Sequence, residues 1–186
     1  GNTVEKAFIA ACQAMQPKPE FTRVSPDRLV AVTEIDLAAL SEIYDERDIY
    51  LSIYMKSASS SDLDASRSFV ASRFRAMEKS LPSELQESFR STVSLAQEAT
   101  DSPSWKGERS RMIFASSPES FLHVYRMSLD CELLVVLDTS PFLLPLARLR
   151  DDYEDYGLLL LDSQEAQLYV IRSRIMEEAG RSSIDL

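Results

Sequence analysis

The sequence is poor in glycine, histidine and cysteine, and it has no long apolar run. Only 4 of its 186 residues are glycine. That scarcity disfavours glycine-rich phosphate loops and a turn-rich all-β fold. The single histidine, His123, lies in an apolar, strand-like stretch, away from cysteines and paired carboxylates. One such residue cannot build a usual metal site, and no nucleophile accompanies it in a recognisable motif. It reads as a structural or half-exposed strand residue. Cys12 and Cys131 are far apart and lack Cys-x-x-Cys spacing, so they support neither a disulfide framework nor a zinc site. They read as reduced thiols, Cys131 in a strand, of a cytoplasmic protein. No run approaches the roughly 20 apolar residues of a membrane helix, and the N-terminus lacks a signal-peptide pattern. GxxxxGKS/T, GxGxxG, GxSxG and HExxH are all missing. No catalytic residue, metal ligand or cofactor is therefore expected. The start at Gly1-Asn2, without Met, suggests a tag remnant on a piece of a longer protein.

What is present is ordinary for a globular chain: 45% hydrophobic and 27% charged residues. A chain of this length buries roughly 70% of its unfolded surface on folding, enough for a core without staples. The formal net charge of −10 repels a nucleic-acid backbone on average. Any RNA contact must use a local basic patch.

Periodicity divides the chain. Val4, Phe8, Cys12 and Met15 lie at helical spacing over Asn2 to Gln16, and Pro17 and Pro19 break the pattern. Thr33 to Asp36 has capping-box spacing and predicts a helix to about Glu46, with Ile35, Leu40, Ile43 and Tyr44 buried. In "DIYLSIYMKS" Ile49, Leu51, Ile53 and Met55 alternate with Tyr50, Ser52, Tyr54 and Lys56, as in a central strand with large residues on both faces. Leu63, Val70, Phe74, Met77 and Leu81 mark a helix over Asp62 to Ser80. After Pro82, a Ser83–Gln86 box opens another helix with Leu85, Phe89, Val93 and Ala96. The two form an αα-hairpin. A loop holding Trp105, a packing anchor, leads to three strands, "RMIFAS", "SFLHVYRMSL" and "ELLVVLD". Leu133 to Leu137 suits a strand buried on both faces. A helix follows with Pro145 in its first turn and Leu146, Leu149 and Tyr153 inward. "GLLLLDSQEAQLYVI", Gly157 to Ile171, reads as a β-hairpin. The order predicts an α/β (α+β) fold with a mixed β-sheet, an αα-hairpin and flanking helices.

The acidic clusters at Asp62–Asp64 and Arg150–Asp155 look like solvated surface. The basic residues are more specific in place. Arg67, Arg73, Arg75 and Lys79 decorate the first helix of the hairpin, Lys79-Ser80 its tip, and Arg90 the second helix. Lys106, Arg109 and Arg111 crowd the next loop and strand. These groups fit either phosphate contacts or solvated helix faces with intrahelical pairs.

Three stretches carry a resemblance: "CELLVVLDTSPFLLPLARLRDDYEDYGLLLLDSQEAQLYVI", "TEIDLAALSEIYDERDIYLSIYMKS" and "MIFASSPESFLHVYRMSLDCELLVV". Their order of strands, helices and a few residues, covering Thr33 to Leu186, resembles the first domain and the start of the second domain of the archaeo-eukaryotic peptide-chain release factors and Pelota. Beside the N-terminal helix and Pro-containing linker read over 1–24 from periodicity and prolines, the resemblance implies a release-factor-like domain over 25–154 and the opening of an RNase H-like second domain over 155–186. It further implies action in translation termination or ribosome rescue, with the ribosome and tRNA as partners and a GTPase as a further candidate. The family's second domain carries a Gly-Gly-Gln loop that promotes peptidyl-tRNA hydrolysis. No two glycines are adjacent here, so no catalytic residue is carried over and the chain by itself is expected to be inactive. At the hairpin tip, where stop-codon readers have Asn-Ile-Lys-Ser, "MEKSLPS" matches only in Lys79-Ser80, which favours rescue over codon reading. The alternative is a non-catalytic interaction module that forms a homodimer through the N-terminal helix or an exposed edge of the C-terminal hairpin.

Overall fold

A computed structural model describes residues 22–47, 49–162 and 164–183. The helix expected over Asn2 to Gln16 lies outside the described residues.

The main sheet has five strands in the order β1-β4-β3-β2-β5. They are β1 (Thr22–Val24), β2 (Tyr50–Lys56), β3 (Ser110–Ser116), β4 (Phe121–Met127) and β5 (Leu134–Asp138). β2 pairs antiparallel with both β3 and β5, and β3 pairs antiparallel with β4. β1 runs parallel to β4, which makes the sheet mixed. The sheet and its helices agree with the α/β expectation. β2 is an inner strand, as its two-faced pattern requires, and Tyr50 to Met55 are all buried. β5 differs from its expected double burial. It is an edge strand in which Val135 alone is buried. The uninterrupted apolar run misled because an edge strand can be half-covered on both faces without being enclosed.

The alternation in β2 sorts the core into two layers. Leu51, Ile53 and Met55, with Ile113, Ala115, Leu122 and Val124, pack under α2 (Ser60–Ser80) and α3 (Ser83–Asp101). Ser59 caps α2 by accepting from the Asp62 amide at 3.1 Å. Leu63 and Val70 of α2, and Phe89 and Ala96 of α3, bury the stripes read from the sequence. The expected Ser83–Gln86 box does not form. Pro82 holds the N-cap position of α3, and Gln86 donates its side-chain amide to the Leu81 carbonyl at 3.1 Å.

The opposite layer contains Tyr50, Tyr54, Met112, Phe114, Phe121, Tyr125 and Met127. Its cover is slighter: a 3-10 turn (Val32–Glu34), the five-residue α1 (Leu37–Ser41) and α4 (Leu144–Asp152). The helix expected from Thr33 to Glu46 is thus much shorter. Asp36 caps α1, accepting from the Ala39 amide at 3.0 Å, and Glu34 reaches back to the Ala31 amide at 2.7 Å. Ile35 and Leu40 are buried as expected, whereas Tyr44 is 66% exposed because it lies past the helix end. α4 matches its sequence, with Pro145 in the first turn, Leu146 buried and Leu149 and Tyr153 packed on the same core. Cys131 is buried in the loop before β5 rather than in a strand.

A second sheet contains β6 (Tyr156–Leu161), β7 (Glu165–Arg172) and β8 (Ile175–Ser183), antiparallel in that order. The hairpin read from Gly157 to Ile171 is present, and β8 extends it. The two-residue turn Ser173-Arg174 joins β7 to β8 with both residues at positive φ, 47° and 67°, as a primed hairpin turn demands. Neither is glycine, so the turn is strained. Its tip is held by the main domain: the buried Ser173 hydroxyl accepts from the Val32 amide at 2.8 Å, and its carbonyl accepts from Ser128 Oγ at 2.5 Å. Asp155 adds a bond from Thr33 at 3.0 Å and an ion pair to Arg172 at 3.0 Å. One residue of the acidic cluster is therefore structural. The small sheet is otherwise uncovered among the described residues. Leu159 is 55% exposed and Leu161 69%.

Candidate nucleic-acid interface

The sequence grouped Arg67, Arg73, Arg75, Lys79, Ser80 and Arg90. The structure divides them. Arg67 sits at the base of the αα-hairpin, about 18 Å along the helix from Lys79 at 1.5 Å per residue. Its guanidinium donates to the carbonyls of Thr100 at 3.4 Å, Ser102 at 3.1 Å and Asp101, and pairs with Asp64 at 3.2 Å. It closes the last turn of α3, where unmet carbonyls and the helix dipole favour a cation. It is a half-buried clamp on that helix end.

Arg75, Lys79 and Arg90 meet at the tip. With Glu78 and Gln86 they line an open depression of about 310 Å³. Arg75 is exposed and donates Nε to the Ala71 carbonyl at 3.3 Å. Arg90 crosses the hairpin to Glu78 at 2.5 Å, which orients its guanidinium beside Lys79. Lys79 is exposed and has no ion pair among the described residues. Ser80 donates its hydroxyl back to the Met77 carbonyl at 2.9 Å, within its own helix. Arg73 is exposed on α2 and makes no ion pair among the described residues. In the lining of this depression three positive charges face one carboxylate, at the end of two helices joined by Leu81-Pro82, while Glu84 and Glu87 stand on the neighbouring turns of α3. Glu78 and Gln86 were not anticipated, since their role depends on the pairing of two helices.

The second basic group fares differently. Arg111 is fully buried. It pairs with Glu108 at 2.9 Å, and Arg126 meets the other Glu108 oxygen at 2.8 Å. Arg111 also donates to the carbonyls of Ala99 at 2.6 Å, Ser102 at 2.9 Å and Pro103 at 3.0 Å. Arg126 lies 4.4 Å over the Trp105 ring, so Trp105 is the anchor its loop position suggested, through a cation–π contact. Burial brings the Arg111 pKa down to about 10, which leaves it charged at neutral pH. Arg109 pairs with Asp130 at 2.7 Å. Arg111 and Arg126 thus lock the loop from within, whereas Lys106 and Arg109 lie on the surface.

A larger cavity, about 620 Å³, opens on the thinly covered face of the main sheet beside β1 and β4. Its floor is aromatic: Tyr50, Phe121, His123 and Tyr125. Phe121 stacks on His123 at 4.3 Å and meets Tyr50 edge-on at 5.9 Å. His123 is 9% exposed. Its Nδ1 is 3.1 Å from the Tyr125 hydroxyl, and its Nε2 has no partner among the described residues. Burial holds its pKa down at about 4, so it is neutral at pH 7. Whichever tautomer it adopts, Nε2 retains one unmet donor or acceptor function. Glu34, Asp36 and Glu119 stand at the rim. Sequence placed His123 in a strand, but the cavity depends on β1, a three-residue strand with too short a pattern to detect.

Among the described residues, no cluster of three or more His, Cys, Asp or Glu side chains is placed to hold a metal ion, and no helix is long and apolar enough to cross a membrane.

No family model matches the chain, and no curated protein matches it. Solved structures do. A structure described as an archaeal protein superposes with a TM-score of 0.55 at 11% identity, over 83% of this chain and 46% of its own length. A crystal structure of an archaeal translation termination factor, aRF1, superposes with a TM-score of 0.54 at 10% identity, over 83% of this chain and 45% of its own length. The chain thus spans about half the length of these structures and shares their fold.

Proposed function

We propose that this chain is part of a release-factor-like protein that acts at the ribosome, in termination or in the rescue of stalled ribosomes. The observation that carries the reading is the cationic hairpin tip of Arg75, Lys79 and Arg90, on a fold similar to that of an archaeal translation termination factor. An acidic protein that engages RNA needs such a confined positive point, because its average field is repulsive. Ribosomal RNA and tRNA are the proposed partners, with Arg73 extending the contact along α2 and a GTPase as a further partner in the intact protein. The proposed site is cytoplasmic.

In this reading residues 25–154 form one unit and β6–β8 begin an RNase H-like second unit. The exposed leucines of β6 support that division, since they await cover. Hydrolysis of peptidyl-tRNA, if the intact protein promotes it, is assigned to residues other than those of this chain. The test is cosedimentation of the intact protein with ribosomes. Arg75→Glu combined with Lys79→Glu is expected to reduce the bound fraction severalfold. Undiminished binding would overturn the assignment of the tip.

The exposed β6 favours a second reading, a non-catalytic module that pairs with another copy through this edge. Its signature is a dimeric mass in size exclusion that Leu159→Lys and Leu161→Lys convert to a monomeric one.

A further inference from the structure

One contact at the hairpin tip is not explained by folding. Glu78 of α2 and Arg90 of α3 meet at 2.5 Å, with side chains 35% and 62% exposed. The two helices do not need this pair to stay together. Phe74 and Phe89 meet edge-on between them at 6.1 Å, and Met77 and Leu81 pack on the same core cluster. The turn is closed by the Leu81 amide, which donates to the Met77 carbonyl at 3.0 Å, and by Gln86, which donates to the Leu81 carbonyl at 3.1 Å. An exposed ion pair adds little to such a frame. It does place a carboxylate inside the depression where Arg75, Lys79 and Arg90 converge.

We propose that Glu78 is a specificity-determining residue of the tip: it stands in for a phosphate on Arg90 in the free protein and is displaced when RNA binds. The inference rests on the reading of the tip as an RNA contact. Carboxylate and phosphate compete for the same donors, since both accept charge-assisted bonds from a guanidinium. Arg90 donates its Nε–H to Glu78, and its remaining N–H groups have no partner among the described residues. Lys79 has no ion pair there, and Arg75 donates only to a carbonyl of its own helix, Ala71, at 3.3 Å. The three cations are therefore not equivalent. Lys79 and Arg75 present their charge directly, whereas Arg90 presents its own by exchange. A polyanion that touches the tip loosely meets two cations and a carboxylate that repels it. A strand that sets a phosphate against Arg90 frees the guanidinium from Glu78 and gains the third contact. Loose binding is thus penalised more than aligned binding, which is how a repulsive group confers selectivity. The exchange asks only for a rotamer change of a partly exposed side chain and leaves the helices in place.

The test is the affinity of the full chain for a fluorescent single-stranded RNA oligonucleotide. Glu78→Gln keeps the side chain's shape and removes its charge. It is expected to bind the oligonucleotide about two- to fivefold more tightly than the wild type, the range that an exposed ion pair allows, with an unchanged denaturation midpoint. Glu84→Gln removes the same charge from the exposed first turn of α3 and is expected to gain less. In an Arg90→Met background the gain from Glu78→Gln is expected to disappear, because the two residues act as a pair. In the wild type the Arg90 Nε–H resonance is expected to move as RNA is added. Unchanged or weaker binding by Glu78→Gln would overturn the proposal. So would an equal gain in Glu84→Gln, or a full gain without Arg90, since either would mean that net charge alone is at work. Failure of the tip reading looks different: Arg75→Glu with Lys79→Glu then leaves the affinity intact, and both assignments fall. If that double variant weakens binding while Glu78→Gln does not strengthen it, only the role of Glu78 falls.

Discussion

At the residue scale, the buried group of Glu108, Arg111 and Arg126 shows how an α/β sandwich tolerates charge in its interior. One carboxylate serves two guanidiniums, and the surplus positive charge is met by carbonyls at the C-terminal end of α3, where the helix dipole is negative. Removing the shared carboxylate leaves two buried cations unmatched. Glu108→Ala is therefore expected to cost about 3–5 kcal/mol, measured by urea denaturation, while Arg109→Ala, at an exposed pair with Asp130, should cost less than about 1 kcal/mol. His123 makes a separate prediction in pH. Its folded pKa of about 4 lies below the ordinary value of 6.5, so the unfolded chain binds the proton more readily. Stability is whole above about pH 6.5 and falls as pH drops toward 4, by on the order of 3 kcal/mol. His123→Gln should flatten that limb. Asp45, held down at about 2 chiefly by its hydrogen bond with Arg47, shifts in the same direction for a different reason, its charged form being the one favoured: its stabilising effect is present above its ordinary value and is lost only as pH falls from about 4 toward 2. The two windows are separable in one titration.

At the element scale, the αα-hairpin carries two kinds of arginine that the sequence alone does not distinguish. Arg67→Met should destabilise the fold by about 1–3 kcal/mol by unclamping α3, yet leave RNA affinity unchanged. Lys79→Met should do the reverse, with denaturation midpoint intact and RNA affinity reduced, measured side by side on the same two proteins. Helices α2, α3 and α4, the strands β2, β3 and β4 and the C-terminal hairpin were legible, because each repeats its burial period for seven residues or more or is bounded by Pro or a cap. β1 has three residues and its pairing is with a strand a hundred positions away, so no local pattern announces it. α1 was overextended because Ile43 and Tyr44 keep the apolar spacing after the backbone has left the helix. The site was legible in part for a related reason. Spacing placed Arg67, Arg75 and Lys79 on one helix, but only the crossing of α2 and α3 decides which of them Arg90 joins. Burial of Arg111 was hidden because its partner Glu108 sits in a loop whose course the sequence does not fix.

At the scale of the whole molecule, an overall charge of −10 and a confined basic tip make opposite demands on the proposed RNA partner. Added salt weakens the tip's contacts through loss of counterion release and also screens the general repulsion. If Arg75, Lys79 and Arg90 each neutralise one phosphate of a single strand, the logarithm of affinity should fall against the logarithm of salt with a slope near −2 for the three. Lys79→Met should lessen that slope by about 0.7, a change that a merely structural lysine would not produce.

The hold on Ser173 gives the small sheet a mechanical character. β7 runs outward from that anchored turn for eight residues, about 26 Å at strand rise. A rigid arm of that length, fixed near one end, is a lever: turning it by about 10° about Ser173 sweeps its far end through about 5 Å. The fulcrum is two hydrogen bonds that Ser173 accepts, from the Val32 amide and from the Ser128 hydroxyl, with Asp155 as a stay. Whatever this arm carries is thereby aimed by the 3-10 turn and the end of β4, so that displacements too small to disturb the core are magnified where the arm ends.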